Sequence, residues 1–349
     1  MDEARRMSEL RSFQTTQGAI LQDDRLVGFG NDAAAHTAAR SGVALYDQSH
    51  WNWIEVTDEH RLDFLHNQST NGFKLLKPGA VCDTTFLTST ARTLDLATAL
   101  VLTDRVQLLV SPGMASNLIP FLDRFIFFAD RVKLTDCSSA IATFCLIGPN
   151  SAAVLGSLGL TVPESGFVTV QISGATVQLI HGSGLALPGF RLAMAIEDAF
   201  PVWQTLSQHS IPMGDHLYDR LRIEQGRPMP GFELTEDYNP LDAGLWDTIS
   251  FNKGCYIGQE TIARLDSRDA VKMNLWGLKL DRSVAIGTLV CVGEEKVGRI
   301  TSVYELEDGS AIGLAYVRTK AGGLGLEVEV ESKKTTLMDL PFIIRSKTI

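Results

Sequence analysis

The sequence is poor in cysteine: across 349 residues it has five, Cys82, Cys137, Cys145, Cys255 and Cys291, and they lie far apart. No two form a C-x-x-C pair, and no histidine-rich spacing accompanies them. A disulfide framework or a structural metal site is therefore not expected. That usage suits a reducing compartment, either bacterial cytoplasm or an organelle stroma or matrix. Long apolar runs are also missing, so no segment reads as a membrane span and no membrane partner is expected. The opening residues, Met1 to Arg6, lack the apolar core of a secretory signal. Excess positive charge is absent too. Lys and Arg number 31 against 41 Asp and Glu, a net charge of −10. That balance argues against a general nucleic-acid surface but leaves room for a local basic pocket.

What remains is an ordinary globular composition, 45% hydrophobic and 21% charged, in a chain long enough for two or three domains. The first half alternates strand-like and helix-like stretches. Trp51 to Val56 predicts a strand, and Thr57-Asp58 offers a cap for a helix through Leu62 and Leu65. Val106 to Val110 predicts another strand. Ser111-Pro112 then suits the start of a helix whose apolar positions are Leu118, Phe121, Leu122 and Phe125. The Phe125 to Phe128 cluster reads as core at the end of that helix, which is expected to reach Asp130. A similar unit follows. It has a strand at Thr143 to Ile147, a hairpin around Ser173-Gly174, a strand at Phe190 to Ile196, and a helix carrying Val202, Trp203 and Leu206. Two such passes indicate related α+β halves, changing near residues 135–145. Beyond Val271 the texture becomes short strands at 275–280, 288–292, 296–303, 311–317 and 326–330, the spacing of a small barrel or sandwich.

The densest chemistry lies in Lys253-Gly254-Cys255-Tyr256-Ile257-Gly258-Gln259-Glu260. Two glycines, a thiol, a base, an acid and an amide within eight residues suit a tight loop whose backbone approaches a ligand. Lys253 beside Cys255 could favour the thiolate, the nucleophilic form; the alternative is a structural turn with an inert cysteine. Arg220, Arg222, Arg227, Arg264, Arg268 and Lys272 concentrate positive charge around the motif.

The motif K-G-C-Y-x-G-Q-E resembles the signature of the YgfZ-type folate-binding proteins that assist iron–sulfur cluster assembly or repair. Those are related to the T-protein, the aminomethyltransferase of the glycine cleavage system. The similarity extends through Leu221-Arg222-Ile223-Glu224-Gln225-Gly226-Arg227-Pro228 and Asn239-Pro240-Leu241-Asp242-Ala243-Gly244-Leu245-Trp246. Upstream it includes Gly42 to Ser49 and Asp63 to Asn71. The resemblance implies an α+β class: a T-protein-like body, residues 12–271, of related α+β domains around a central folate channel, then a small β-barrel at 272–349. It also implies tetrahydrofolate or a one-carbon derivative as cofactor, with iron–sulfur client or assembly proteins as partners. A transient iron–sulfur cluster is conceivable, although one motif cysteine cannot enclose a cluster that commonly takes four thiolates.

By the same resemblance, Glu224 would contact the pterin, whose adjacent N–H donors a carboxylate can accept. An ion pair with Arg220 or Arg227 is the alternative. Asp95 falls where T-proteins carry a Gly-Gly-x-x-Asp-Asp-like segment. Here that stretch is Ala91-Arg92-Thr93-Leu94-Asp95-Leu96, with no glycine pair and one acid, so Asp95 is a candidate for proton handling or a structural cap. Arg264 and Arg268 could take the carboxylates of a glutamyl tail, or lie on a solvated face. Asn67 and Asn71 could bond a ligand or end a helix. Tyr256, Gly258 and Gln259 join the cofactor candidates, and Cys255, Lys253 and Asp95 the catalytic ones. The functional expectation is a tetrahydrofolate-binding iron–sulfur assistant. The alternatives are a folate-dependent aminomethyltransferase and a non-catalytic folate-binding scaffold.

Overall fold

The computed structural model describes residues 3–347. Met1 and Asp2, in the segment searched for a signal core, and Thr348 and Ile349, at the end of the expected barrel, lie outside the described residues. The chain divides into two compact units. The first takes residues up to Leu62 with Leu75–Cys82 and Thr98–Asp219; the second takes Asp63–Lys74, Asp83–Ala97 and the chain from Arg220 onward.

The larger sheet of the first unit runs, in spatial order, Phe167–Ile172, Ala175–His181, Gly189–Ala195, Ile141–Ile147, Ala44–Asp47 and Ile211–Met213. All neighbours are antiparallel except the last pair, which is parallel. The expected hairpin is present, and its turn residues Ser173 and Gly174 sit at φ 52° and 83°. Two positive φ values give the twist that joins adjacent antiparallel strands. Every second residue of the strands faces one core: Phe144 and Leu146, Val177 and Leu179, Leu192 and Met194 pack with Leu10, Phe29 and Trp203. Burial of each such side chain contributes about 1.5–3 kcal/mol. The indole N–H of Trp203 donates to Gln17 at 2.8 Å, so the ring is buried without an unpaired donor.

A second sheet has the order Val81–Leu87, Thr93–Val101, Arg105–Val110, Asn52–Thr57 and Lys133–Asp136. Its first two strands contribute residues to both units. The two sheets share a plan. Three consecutive strands lie edge to edge, and the strand that precedes them in the chain returns beside the third, a Greek-key arrangement.

Two helix expectations change. Thr57-Asp58 does not cap: Asp58 turns through φ 78°, and the helix starts later, at Arg61–Gln68. Ser111 to Met114 likewise forms a turn, and the next helix spans only Ala115–Asp123. Its early end corrects the core assignment of Phe125 to Phe128. The chain leaves the helix through a turn in which the Phe127 N–H bonds the Asp130 carboxylate, and Phe127 and Phe128 are exposed.

The second unit is organised around a buried carboxylate. Glu233 is fully buried, and one of its oxygens accepts from Arg222 at 2.9 Å and from the Met229 N–H at 3.2 Å. The other oxygen accepts the hydroxyls of Thr301 and Ser302 at 2.7 and 2.6 Å. The Glu233 carbonyl takes the Tyr316 hydroxyl at 3.0 Å. One acid thus ties the helix Asp215–Gln225 and the turns after it to two strands of the C-terminal sheet. Asp242 makes a second tie, accepting from Asn239 and from the Met273 N–H at 3.3 Å, where that sheet begins. Burial raises the Asp242 pKa, with these bonds opposing the shift.

The C-terminal sheet is a curled antiparallel half-barrel in the order Met273–Leu280, Ala311–Arg318, Glu295–Glu305, Leu289–Val292, Glu327–Val330 and Lys333–Thr336. Its core gathers Trp276, Leu278, Val290, Ile300, Val328 and Val330. The last strand was not anticipated. Lys-Lys-Thr-Thr carries no apolar alternation, as befits an edge strand whose lysines discourage further pairing.

Replacing Glu233 with Ala should remove the carboxylate that the buried Arg222 meets at 2.9 Å and the acceptor that Thr301 and Ser302 share. The expected destabilisation is about 3–5 kcal/mol, read as a lowered urea midpoint. An unchanged midpoint would show that the cluster does not hold the second unit together.

Candidate functional site

The thiol motif is held by the end of a helix. Arg61–Gln68 leaves carbonyls without intrahelical partners at its C-terminus, where positive charge is favoured. Lys253 supplies that charge. Its ammonium donates to the carbonyl oxygens of His66, of Ser69 at 2.6 Å and of Asn71 at 2.8 Å. The Ile257 N–H adds a fourth link, to the Asn67 carbonyl at 3.2 Å. Lys253 also lies 4.6 Å from the centre of the Tyr256 ring, and burial pushes the Tyr256 phenol up to about 12. The lysine expected to support a thiolate therefore directs its ammonium into backbone carbonyls, and it clamps the loop.

The clamp leaves Cys255 exposed in an open cleft of about 400 Å³, lined also by His66, Asn67, Lys74, Gly254, Tyr256 and Ile257. This volume falls within the range of small-ligand sites, about 300–1,000 Å³. Every lining residue belongs to the second unit. Gly258 closes the loop at φ 83° and caps the helix Gln259–Ser267. A β-carbon there would stand 3.1 Å from both the Ala91 Cα and the Thr88 carbonyl, so conformation and space both call for glycine. Gln259 opens the helix and donates its N–H to the Tyr256 carbonyl at 3.2 Å.

Sequence reasoning missed Lys74 at the cleft rim and, with more consequence, His66. Its Nδ1 accepts the Phe73 N–H at 3.2 Å. Burial, then the charges of Lys253 and Lys74, lower its pKa below the usual histidine value. The available signal was faint: a histidine beside Asn67 at a helix end, in a segment already singled out.

Asn67, Cys255 and Tyr256 thus meet in one cleft, with Lys253 behind them. The other candidates are not among its lining residues. Asn71 spends its side chain locally, donating to the Asp83 carbonyl at 2.8 Å and accepting the Gly72 N–H at 2.8 Å. Its position is that of a turn residue. Glu224 accepts from Arg220 one helical turn earlier at 2.9 Å, with both side chains largely buried. Asp95 is fully buried within Thr93–Val101, and its carboxylate accepts the Leu96 N–H at 2.9 Å. Arg264 and Arg268 are exposed, the second as the C-cap of the helix Gln259–Ser267. Among the described residues, no group of three or more His, Cys, Asp or Glu is placed to hold a metal, and no helix is long and apolar enough to cross a membrane.

Several sheets of mixed α+β build and a C-terminal curled half-barrel define a T-protein-like fold. It matches the crystal structure of the glycine cleavage system aminomethyltransferase T from Bartonella henselae at a TM-score of 0.84 and 22% identity, over 97% of this chain and 98% of that one. The family model for the GCVT N-terminal domain matches residues 21–253, and the chain belongs to that family. It is 38% identical over 343 residues to a chloroplastic protein of Arabidopsis thaliana whose name places it provisionally among the transferases. That match covers 96% of this chain and 79% of the relative. It is also 28% identical over 326 residues to the aminomethyltransferase of Halalkalibacterium halodurans, covering 89% of this chain and 88% of that enzyme.

Substituting Lys253 with Met keeps the stem and removes the charge. It should destabilise the protein by about 1.5–3 kcal/mol, as loss of hydrogen bonds from a charged group does. Amide exchange at Ile257 should accelerate. Arginine should rescue only in part, because a planar fork cannot converge on three carbonyls around one nitrogen. Unchanged exchange at Ile257 in the methionine variant would rule out the clamp.

Proposed function

We propose that this protein is a folate-dependent one-carbon transferase of the aminomethyltransferase type. The observation that carries this reading is similarity along almost the whole chain: relatives named aminomethyltransferase align over about nine-tenths of both partners. A reduced folate, when bound, supplies the amine nitrogens that carry a one-carbon unit. The chain's own residues suit such a ligand. Glu224 is a largely buried carboxylate on the helix Asp215–Gln225, a suitable acceptor for the paired N–H donors of a pterin edge, and Arg220 holds it in position. Asp95, buried in its strand, is the candidate for holding or moving a proton. Arg264, exposed on the helix Gln259–Ser267, and Arg268, exposed at its C-cap, are available to glutamyl carboxylates. A chloroplastic relative supports a compartment such as an organelle stroma, with bacterial cytoplasm as the other setting.

A second reading rests on the exposed thiol. Cys255, in a motif similar to that of the YgfZ-type proteins, favours a tetrahydrofolate-binding role in iron–sulfur protein assembly or repair, with a client protein as partner. The assay for the first reading separates the two. Given an aminomethyl-lipoyl protein and tetrahydrofolate, a transferase releases ammonia and forms methylenetetrahydrofolate, and absence of both products refutes the first reading. Under the second, Cys255→Ser should keep folate affinity and lose iron–sulfur complementation in a deletion strain; full complementation would remove the thiol from function.

Glu224→Ala should weaken tetrahydrofolate binding more than Glu224→Gln. Alanine leaves buried donors unpaired, at a cost of about 1–3 kcal/mol, whereas glutamine keeps one acceptor. Equal, wild-type-like affinities for both variants by calorimetry would place Glu224 outside the folate site.

A further inference from the structure

We propose that the cleft at Cys255 is an oxyanion site, taking a carboxylate or phosphate group against the Nε2–H of His66 and the ammonium of Lys74, with the thiol alongside. This stands apart from the folate reading, because Glu224, Asp95 and the arginines do not line the cleft.

The tautomer of His66 carries the argument. The residue is 8% exposed, and its Nδ1 lone pair is taken by the Phe73 N–H. The neutral ring therefore bears its proton on Nε2, which can only donate. Nε2 has no hydrogen-bond partner among the described residues. It faces the cleft, 3.8 Å from where a β-carbon on Gly254 would stand. A donor presented at the wall of an open cleft by an otherwise buried residue is available to an acceptor that enters it. The absence of a side chain at Gly254 keeps the approach to that donor open. His66 is also thereby excluded as a base for the Cys255 proton, since no lone pair faces the thiol loop.

The rest of the lining agrees in sign. Lys74 is half exposed at the rim, 3.1 Å from Asp63, and the exposed Asn67 amide offers further donors. No Asp or Glu lines the cleft. Burial, then the charges of Lys253 and Lys74, lower the His66 pKa against the opposing charge of Asp63, which favours the neutral imidazole. His66 therefore contributes a directed hydrogen bond, while Lys74 meets the anion's charge.

The test uses the full-length protein and two alkylating probes of similar size, anionic iodoacetate and neutral iodoacetamide. Modification of the Cys255 peptide is followed by mass spectrometry, with N-acetylcysteine as the free-thiol reference. The iodoacetate-to-iodoacetamide rate ratio at Cys255 should exceed the reference by about tenfold, the effect of one charge-assisted hydrogen bond. His66→Gln and Lys74→Gln should each lower the ratio towards the reference with little change in the iodoacetamide rate. Inorganic phosphate or acetate should protect Cys255, and whichever protects at the lower concentration identifies the class of oxyanion. A ratio equal to that of the free thiol, or one unmoved by His66→Gln in a folded protein, overturns the proposal. If His66→Gln does not fold, Lys74→Gln and the imidazole two-bond ¹H–¹⁵N correlations decide. A proton on Nδ1 would also overturn it.

Discussion

A single ammonium group holds the candidate site in shape. The carbonyls that accept from Lys253 belong to a helix end and the turn after it, in a part of the chain more than 180 residues from the motif. Helix termini leave such acceptors for water or for a capping group. Here a lysine from the thiol loop takes them. The exposed position of Cys255, the approach of Ile257 to Asn67, and the placing of the Tyr256 ring under the cation follow from that anchoring. Gly258 is its counterpart at the other end of the loop, where only a residue without a side chain fits against Ala91 and Thr88.

The second unit uses the opposite charge in the same way. Glu233 gathers an arginine, a backbone N–H and two hydroxyls, so both carboxylate oxygens are satisfied in a place that water does not reach. A buried ion pair of this kind gives little net stability relative to apolar packing, and removing one member is costly. Its use here is geometric. Residues 226–258 form little regular structure, and the polar ties at Glu233 and Asp242 fix where that irregular chain runs. The motif loop begins at the end of that path.

Much of the fold was legible because it follows periodicity. The half-barrel strands and the Ser173-Gly174 hairpin stand in the sequence as apolar alternation broken by turn residues. The departures share a cause: short-range signals overruled by local hydrogen bonds. Asp58 and Ser111 look like caps, but each sits in a turn that delays its helix, and Asp130 closes a turn that leaves Phe127 and Phe128 in solvent. The site was less legible because it is assembled from distant segments. Cys255 and Tyr256 stood out by composition, whereas His66 depends on the Phe73 amide and on Gly254, contacts that no linear pattern encodes. The Asn71 amide both donates and accepts, which suits the turn it serves as well as it would suit a ligand.

The clamp on Lys253 has a consequence for the reactivity of that amine. A lysine reacts with carbonyl electrophiles through the lone pair of its neutral amine. An ammonium whose N–H bonds end on three carbonyl oxygens has no lone pair to offer, and deprotonating it would turn those acceptors against one another. The lysine of the thiol loop is therefore shielded from imine formation and crosslinking. Covalent chemistry at the loop is left to sulfur.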